Sequence, residues 1–301
     1  MSICAGRRNP CAQGVEIGKS VACYQFLLLA VIWTIWAQAQ PSQTTKDRKI
    51  LDEIRAHRSG IAVWWLGHNG WLIKANDTLI GTDLVLEEPN RRAPSPISAA
   101  ELAGELDVSF ITHGHGDHFH RKTSQVLSGQ GRCVFVIPKS CVKIARELGI
   151  DETRERVATP REPFEVKGVG VQPLRAIHGN PKFAVHQQAN LEDCGYLITI
   201  GGKTFLQPGD SVLLEDQLFL KHVNVLFFSP TEHNMHIDRS VILINELQPD
   251  YILPQHRDTY VETPQNRYWT HGYAREVQLL LAKPLQEKYR ILEPGERLLI
   301  Q

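Results

Sequence analysis

The chain has 301 residues, 42% hydrophobic and 22% charged, an ordinary globular balance with enough length to bury a sizeable core. Lys+Arg and Asp+Glu are equal at 33 each, so no basic field advertises nucleic acid and no acidic tail acts as a solvating segment. No repeat of solenoid or propeller period and no low-complexity tract is present.

The first forty residues stand apart. Arg7, Arg8 and Lys19 precede a nearly uncharged apolar run from Val21 to Trp36, followed by Ala37-Gln-Ala39 and the polar Gln40-Pro-Ser-Gln. A positive region, an apolar core and an A-x-A end describe a secretory signal peptide over residues 1–39, with cleavage expected after Ala39. The expected destination is the periplasm or the extracellular space; a membrane anchor formed by residues 21–36 is the alternative. Residues 40–59 read as a lead-in and 60–301 as a single domain. After cleavage, Cys133, Cys141 and Cys194 remain, an odd number that permits at most one internal disulfide. Their settings read as small buried apolar positions.

In chain order, Lys46 to Arg58 predicts a short helix. Ile61–Leu66, Gly70–Ala75 and Thr78–Val85 predict three strands, the last two joined by an Asn76-Asp77 turn. Pro89, Pro94 and Pro96 make residues 87–98 a loop. Helical patterns cover Ser98–Leu106, Ser140–Leu148, His236–Leu247 and Gly272–Leu281. Further strands are expected at Val108–Ile111, Val134–Ile137, Phe164–Val166, Gly170–Ile177, Gly195–Ile200, Lys203–Leu206, Val223–Phe228 and Tyr251–Leu253. Early hairpins followed by strand–helix alternation predict two sheets covered by helices, of the α/β (α+β) class. Trp64, Trp65 and Trp71 read as core.

The strand Val108–Ile111 runs into Thr-His-Gly-His-Gly-Asp-His, which places His113, His115, Asp117 and His118 within six residues of a chain holding 13 histidines. That density of imidazole and carboxylate predicts a metal site on a glycine-punctuated loop. Ligands tend to sit at strand ends held by a rigid sheet, and three later residues meet that description. They are His178 after Gly170–Ile177, Asp210 in Pro208-Gly-Asp-Ser, and His256 after Tyr251–Gln255. Any one of them alone reads equally as a turn residue. Seven ligands together suit two ions sharing one carboxylate.

In that order Thr-His-Gly-His-Gly-Asp-His118, Ile-His178, Pro-Gly-Asp210 and Pro-Gln-His256 resemble the metal motifs of the metallo-β-lactamase-fold hydrolase superfamily. Trp65-Leu-Gly-His68, Asp83 and Cys194-Gly-Tyr-Leu-Ile resemble in particular its L-ascorbate 6-phosphate lactonase-like branch, over residues 60–260. The resemblance implies a four-layer αβ/βα sandwich with mostly antiparallel mixed sheets. It implies that His113, His115 and His178 hold one ion, that Asp117, His118 and His256 hold the other, and that Asp210 bridges them. Two positions depart from the family pattern. Asp83 is followed by Leu84 and not by proline, and the bridging position is Asp210 and not cysteine, which points away from β-lactam hydrolysis.

Two divalent ions, Zn first and Mn or Fe also suited, would with two carboxylates and a hydroxide leave about +1 on the centre. Such a centre predicts a metal-dependent hydrolase in which a dinuclear-metal-activated hydroxide cleaves a lactone, ester, amide or phosphoester bond. The expected partner is an anionic or carbonyl-bearing small molecule. Alternatives are a phosphodiesterase of the same fold, including one acting on phospholipid-derived substrates, and a non-catalytic metal-binding member. Asp117 is a candidate for proton transfer, and His233 or His236 for protonating a leaving group. His68 is a candidate donor to a ligand or a substrate contact, and Arg91 and Arg92 are candidate anion contacts or else an exposed charged loop. His120, His186, His222 and His271 read as surface or core-edge residues.

Overall fold

Two faces of one strand explain the architecture. In β1 (Ile61–Gly67) every residue is buried, with Ala62, Trp64 and Leu66 in one apolar cluster and Val63 and Trp65 in another. Successive side chains of a strand point to opposite faces, so a strand buried on both sides lies in a sheet covered on both sides. The computed structural model describes residues 43–180, 184–185 and 190–301, and Gln43–Gln301 forms one compact unit. The expected export segment, residues 1–39, lies outside the described residues, as does His186.

The first sheet has seven strands in the order β15 (Arg297–Ile300), β1, β2 (Gly70–Ala75), β3 (Thr78–Thr82), β4 (Val108–Phe110), β5 (Val134–Pro138) and β6 (Glu155–Ala158). Its β15-to-β3 half is antiparallel and its β3-to-β6 half parallel. The second has six, in the order β14 (Tyr251–Pro254), β13 (Val225–Phe228), β12 (Lys203–Gln207), β11 (Cys194–Ile200), β8 (Val169–Arg175) and β7 (Phe164–Val166). There β12 to β14 are parallel and the remaining pairs antiparallel. A short ribbon, β9 (Gly179–Asn180) with β10 (Ala184–Val185), stands apart.

Three apolar layers hold this together. Between the sheets, Trp65, Trp71, Ile73 and Phe110 pack with Tyr196, Phe205, Phe227 and Leu253. Outside the first sheet, Trp64, Leu72 and Phe135 meet α1 (Gln43–Ala56), α2 (Ala99–Ala103), α3 (Arg121–Gln130) and α4 (Val142–Glu147) through Ile50, Ile54, Leu102, Leu127 and Ala145. Outside the second, Leu206, Leu226 and Ile252 meet α6 (His236–Leu247) and α8 (Ala274–Leu280), which follow the short α5 (Glu215–Leu218) and α7 (Arg267–Thr270), through Leu243, Ile244 and Val277. The result is the expected αβ/βα sandwich.

Two differences are informative. Helix α1 begins before the predicted Lys46, and Ile50 and Ile54 are buried, so it is an outer-layer helix of the domain and not a lead-in. Helix α3 and the edge strands β6 and β15 were not anticipated. The buried face of α3 is Thr123, Ser124 and Leu127, two hydroxyls and one apolar residue, which leaves little hydrophobic period to read. Cys133, Cys141 and Cys194 are buried free thiols. Burial pushes the Cys133 thiol up to about 11 and that of Cys194 to about 12, which leaves both as inert thiols at neutral pH.

Candidate metal centre

The pairing pattern brings particular strand ends to one edge. β3 and β4 run parallel, as do β12 and β14 through β13, while β8 is antiparallel to β11 and therefore parallel to β12. The residues that follow these strands carry the chemistry: Asp83 after β3, His113 after β4, His178 after β8, Asp210 after β12, His233 after β13 and His256 after β14. His68 and Asn69 add the turn between β1 and β2. Three of the positions are held at positive φ without being glycine, namely His68 at 52°, Asp83 at 41° and His256 at 57°. That conformation costs a bulky residue of order 1 kcal/mol, and such residues concentrate at functional sites. One glycine is required by close approach: at Gly209, φ 63°, a Cβ would sit 2.7 Å from that of Thr112. Gly114 and Gly116 are not among the residues at positive φ. At Gly114 a Cβ would lie 2.9 Å from Cδ1 of Ile144, the end of a half-buried side chain that would have to shift.

The donor atoms fall into overlapping groups. Those of His113, His115 and His178 lie within 4.8 Å of one another, and so do those of His68, Asp117, His118 and His256. Asp210 joins a group with His113 and His118 and another with His178 and His233. Its Oδ2 lies 2.9 Å from His256 Nε2, 3.0 Å from His233 Nε2 and 3.4 Å from His178 Nε2. Its Oδ1 accepts from Asn69 Nδ2 at 3.2 Å and lies 3.5 Å from His118 Nε2.

The protonation pattern fits a cation. A carboxylate only accepts, so His118 Nδ1, 2.9 Å from Asp83, carries a proton, and Nε2 is the ring nitrogen that faces Asp210 and would be bare when an ion is held. His233 Nδ1 faces the carbonyl of Tyr268 at 3.3 Å and the Thr231 hydroxyl at 3.0 Å, while its Nε2 faces Asp210 Oδ2 at 3.0 Å. His113 Nε2 and His115 Nδ1 face each other at 3.1 Å. Asp83, Asp117 and Asp210 each meet one of these imidazoles, and among the described residues no Lys or Arg pairs with any of the three. Burial pushes the two carboxyls of Asp117 and Asp210 up. The imidazoles around them, His118 and His68 for Asp117, His256 and His118 for Asp210, outweigh it and hold both well below the usual carboxylate range. Burial likewise lowers the protonation of His68, His113, His115, His233 and His256. Only His118 is driven above its ordinary value: burial opposes this, but Asp210, Asp83 and Asp117 outweigh it. Two charged carboxylates amid mostly neutral imidazoles are costly without a positive ion between them.

The structure thus brings His113, His115, Asp117, His118, His178, Asp210 and His256 together. Other expectations are corrected. His236 is outside the cluster, its ring against Tyr273 with centroids 5.0 Å apart. His68, expected either to support a ligand or to meet substrate, is 1% exposed, and its Nε2 holds Asp117 Oδ2 at 3.0 Å. Arg91 is no anion clamp, because Nε, Nη1 and Nη2 donate to the carbonyls of Ala93, Val85 and Leu66. Arg92 pairs loosely with Asp258 at 3.7 Å and lines a different depression. Sequence reasoning gave no role to Asp83, which takes both the backbone N–H and the hydroxyl of Thr112 besides His118. It also passed over Asn69 and the pair Gln207 and Gln255. Their amides bond reciprocally at 2.7 and 3.0 Å beneath the cluster, with Trp71 Nε1 donating to Gln255. Polar residues just past strand ends were the available signal.

Residues 62–256 match the family described as the Beta-lactamase superfamily domain. The chain belongs to that family. Among similar members, a metal-dependent hydrolase of Pelotomaculum thermopropionicum is 24% identical over 250 residues, covering 78% of this chain and 97% of its own. The fold is shared with Igni18, a metallo hydrolase from Ignicoccus hospitalis (TM-score 0.60, 19% identity, 79% of this chain and 97% of that one). It is also shared with CmlA, a diiron β-hydroxylase from Streptomyces venezuelae (TM-score 0.61, 15% identity, 81% of this chain and 55% of that one). In a metallo-β-lactamase fold with such different members, the reaction has to be argued from the site.

Proposed function

We propose that this chain, a metal-dependent hydrolase of the metallo-β-lactamase fold, holds two divalent ions side by side. His113, His115 and His178 would hold one, Asp117, His118 and His256 the other, with Asp210 between them. The observation that carries this reading is the position of Asp210, whose oxygens face nitrogens from both groups. Mixed imidazole and carboxylate donors suit Zn first, and Mn or Fe as well. When bound, such ions supply Lewis acidity toward a carbonyl or phosphoryl oxygen and lower the pKa of water toward ~7.

The chain's own residues do the positioning. Asp117 reaches the mouth of a cavity of about 230 Å³ lined also by His115, His178, Asp210, His233, Tyr268 and Trp269. Held there by His68 and ionised at working pH, it is placed to take a proton from an attacking water. His233 has both ring nitrogens engaged, so it fixes Asp210 and is poorly placed to protonate a leaving group. The reaction we assign is hydrolysis of a lactone, ester, amide or phosphoester bond. The test is turnover by the metal-loaded full chain on a panel of lactones, esters, amides and bis-(p-nitrophenyl) phosphate, before and after chelation. Activity that is lost on chelation and restored by metal supports the assignment. A fully loaded protein silent on the whole panel would contradict it, and cleavage of the phosphodiester alone would narrow it to a phosphodiesterase.

A further inference from the structure

A second cavity, of about 510 Å³, opens beside the first and is lined by Glu88, Asn90, Arg91, Asp117, Tyr260 and Trp269, among others. Asp117 and Trp269 line both cavities, so the two adjoin. Tyr260 and Trp269 form an aromatic wall along this passage, with ring centroids 5.4 Å apart at 59°. The wall abuts the imidazole cluster, since Tyr260 lies 5.1 Å from His68 and Trp269 lies 6.4 Å from His256.

Carboxylates outnumber cations in the lining of this second cavity. Glu88 and Asp117 supply carboxylates. Among the described residues the one cationic side chain in the lining is Arg91, which spends each guanidinium nitrogen on a backbone carbonyl. A carboxylate or phosphate placed there would meet the Glu88 carboxylate and, among the described residues, no cation but an Arg91 guanidinium already bonded to three carbonyls, which costs free energy. Apolar surface meets two ring faces together with Pro89 and Val261, which is 61% exposed. The wall is also fixed in place before anything binds. Tyr260 pairs with Arg91 in a β-bridge, Arg92 N–H donates to the Thr259 carbonyl at 2.8 Å, and Trp269 sits within α7. Preorganisation of this kind lowers the ordering cost of binding.

We propose that Tyr260 and Trp269 form the specificity subsite of this hydrolase, and that it takes an uncharged, largely apolar substituent attached next to the scissile bond. The substrate class is thereby an ester, lactone or amide carrying an aliphatic or aromatic group, and not one with a second anionic group. This rests on the metal-centre reading, because the subsite is defined by adjoining that cavity.

Equilibrium binding of hydroxamates to the metal-loaded full chain, measured by calorimetry alongside metal content, separates the two. A hydroxamate chelates divalent ions through its two oxygens while its tail probes the subsite. Hexanohydroxamate should bind about 10-fold tighter than acetohydroxamate, as four methylenes half-buried against the wall predict. The monohydroxamate of adipic acid, with a carboxylate at the tail, should lose that gain. Trp269→Ala and Tyr260→Leu should each bring the hexano-to-aceto ratio toward one. Equal affinities in the wild type, or tighter binding of the carboxylate-tailed compound, would overturn the subsite while leaving the metal centre standing. Failure of every hydroxamate to bind a protein carrying two ions per chain would overturn the metal-centre geometry and the subsite with it.

Discussion

Replacing Asp83 isolates the step from packing to metal chemistry. Asp83 Oδ1 accepts the Thr112 N–H at 2.8 Å, and Oδ2 accepts the Thr112 hydroxyl at 2.7 Å and faces His118 Nδ1 at 2.9 Å. All of these atoms are buried. Asp83→Ala strands the Thr112 N–H and the His118 Nδ1–H, and at ~1–3 kcal/mol for each buried donor the loss is about 2–6 kcal/mol. Asp83→Asn keeps the volume and one acceptor, so its cost in stability is about 1–3 kcal/mol. Its NH₂, however, faces His118 Nδ1 donor to donor. The imidazole relieves this by moving its proton to Nε2, the nitrogen that the metal reading needs bare. Loss of such an orienting partner costs about 10–100-fold in metal affinity. Urea denaturation of the metal-free proteins and competition with a chromophoric chelator measure the two effects separately. An Asp83→Asn protein that binds metal within twofold of wild type would refute the reasoning.

Further expectations follow from the same geometry. Arg91→Ala removes charged hydrogen bonds to three carbonyls and should cost about 2–4 kcal/mol in urea. Arg92→Ala breaks a loose exposed pair and should cost under about 0.5 kcal/mol; equal effects would show that Arg91 is not the clasp described. Gln255→Leu leaves Trp71 Nε1 unsatisfied and removes two of the bonds of the Gln207 amide, and should lower the unfolding free energy by about 1–3 kcal/mol with a fall in metal affinity. For pH, the buried His113 and His256 have lowered folded pKa values, so below ~6.5 the unfolded chain takes up protons that the fold excludes. The depressed Asp117 and Asp210 contribute stability that is present above ~3.9 and lost as pH falls through their folded values. His118 has the opposite sign: its contribution is full below ~6.5 and is lost as pH rises through its raised folded pKa. More groups are lowered than raised, so the melting temperature of the metal-free protein should fall between pH 7 and pH 5. A flat or rising profile over that interval would contradict this balance.

Much of the fold was legible because its strands are short apolar runs ended by turn chemistry, and β1 to β3 and α6 fall close to the predicted ranges. What escaped was structure without hydrophobic period, such as α3 with its buried hydroxyls and β6, whose central residues Arg156 and Val157 are exposed. The metal cluster was legible for a different reason: histidines are scarce, and their placement after strands carries information that does not depend on periodicity. The groups behind it were not. Asp83 and Asn69 look like turn residues until topology sets them against His118 and Asp210. Gln207 and Gln255 look like strand-end polars until the two sheets close around them. Tyr260 and Trp269 sit in a segment with little regular structure, where only the folded cavity shows which faces are exposed to a ligand. The two arginines were misjudged because charge in a loop cannot reveal whether a guanidinium faces solvent or nearby carbonyls.

The most direct test of the account is the metal content of the purified full chain, wild type beside His113→Ala and Asp210→Ala. The account predicts two divalent ions per wild-type chain. It predicts partial loss in His113→Ala and loss of both ions in Asp210→Ala, with the fold retained by circular dichroism. Full metal content in both variants would contradict it.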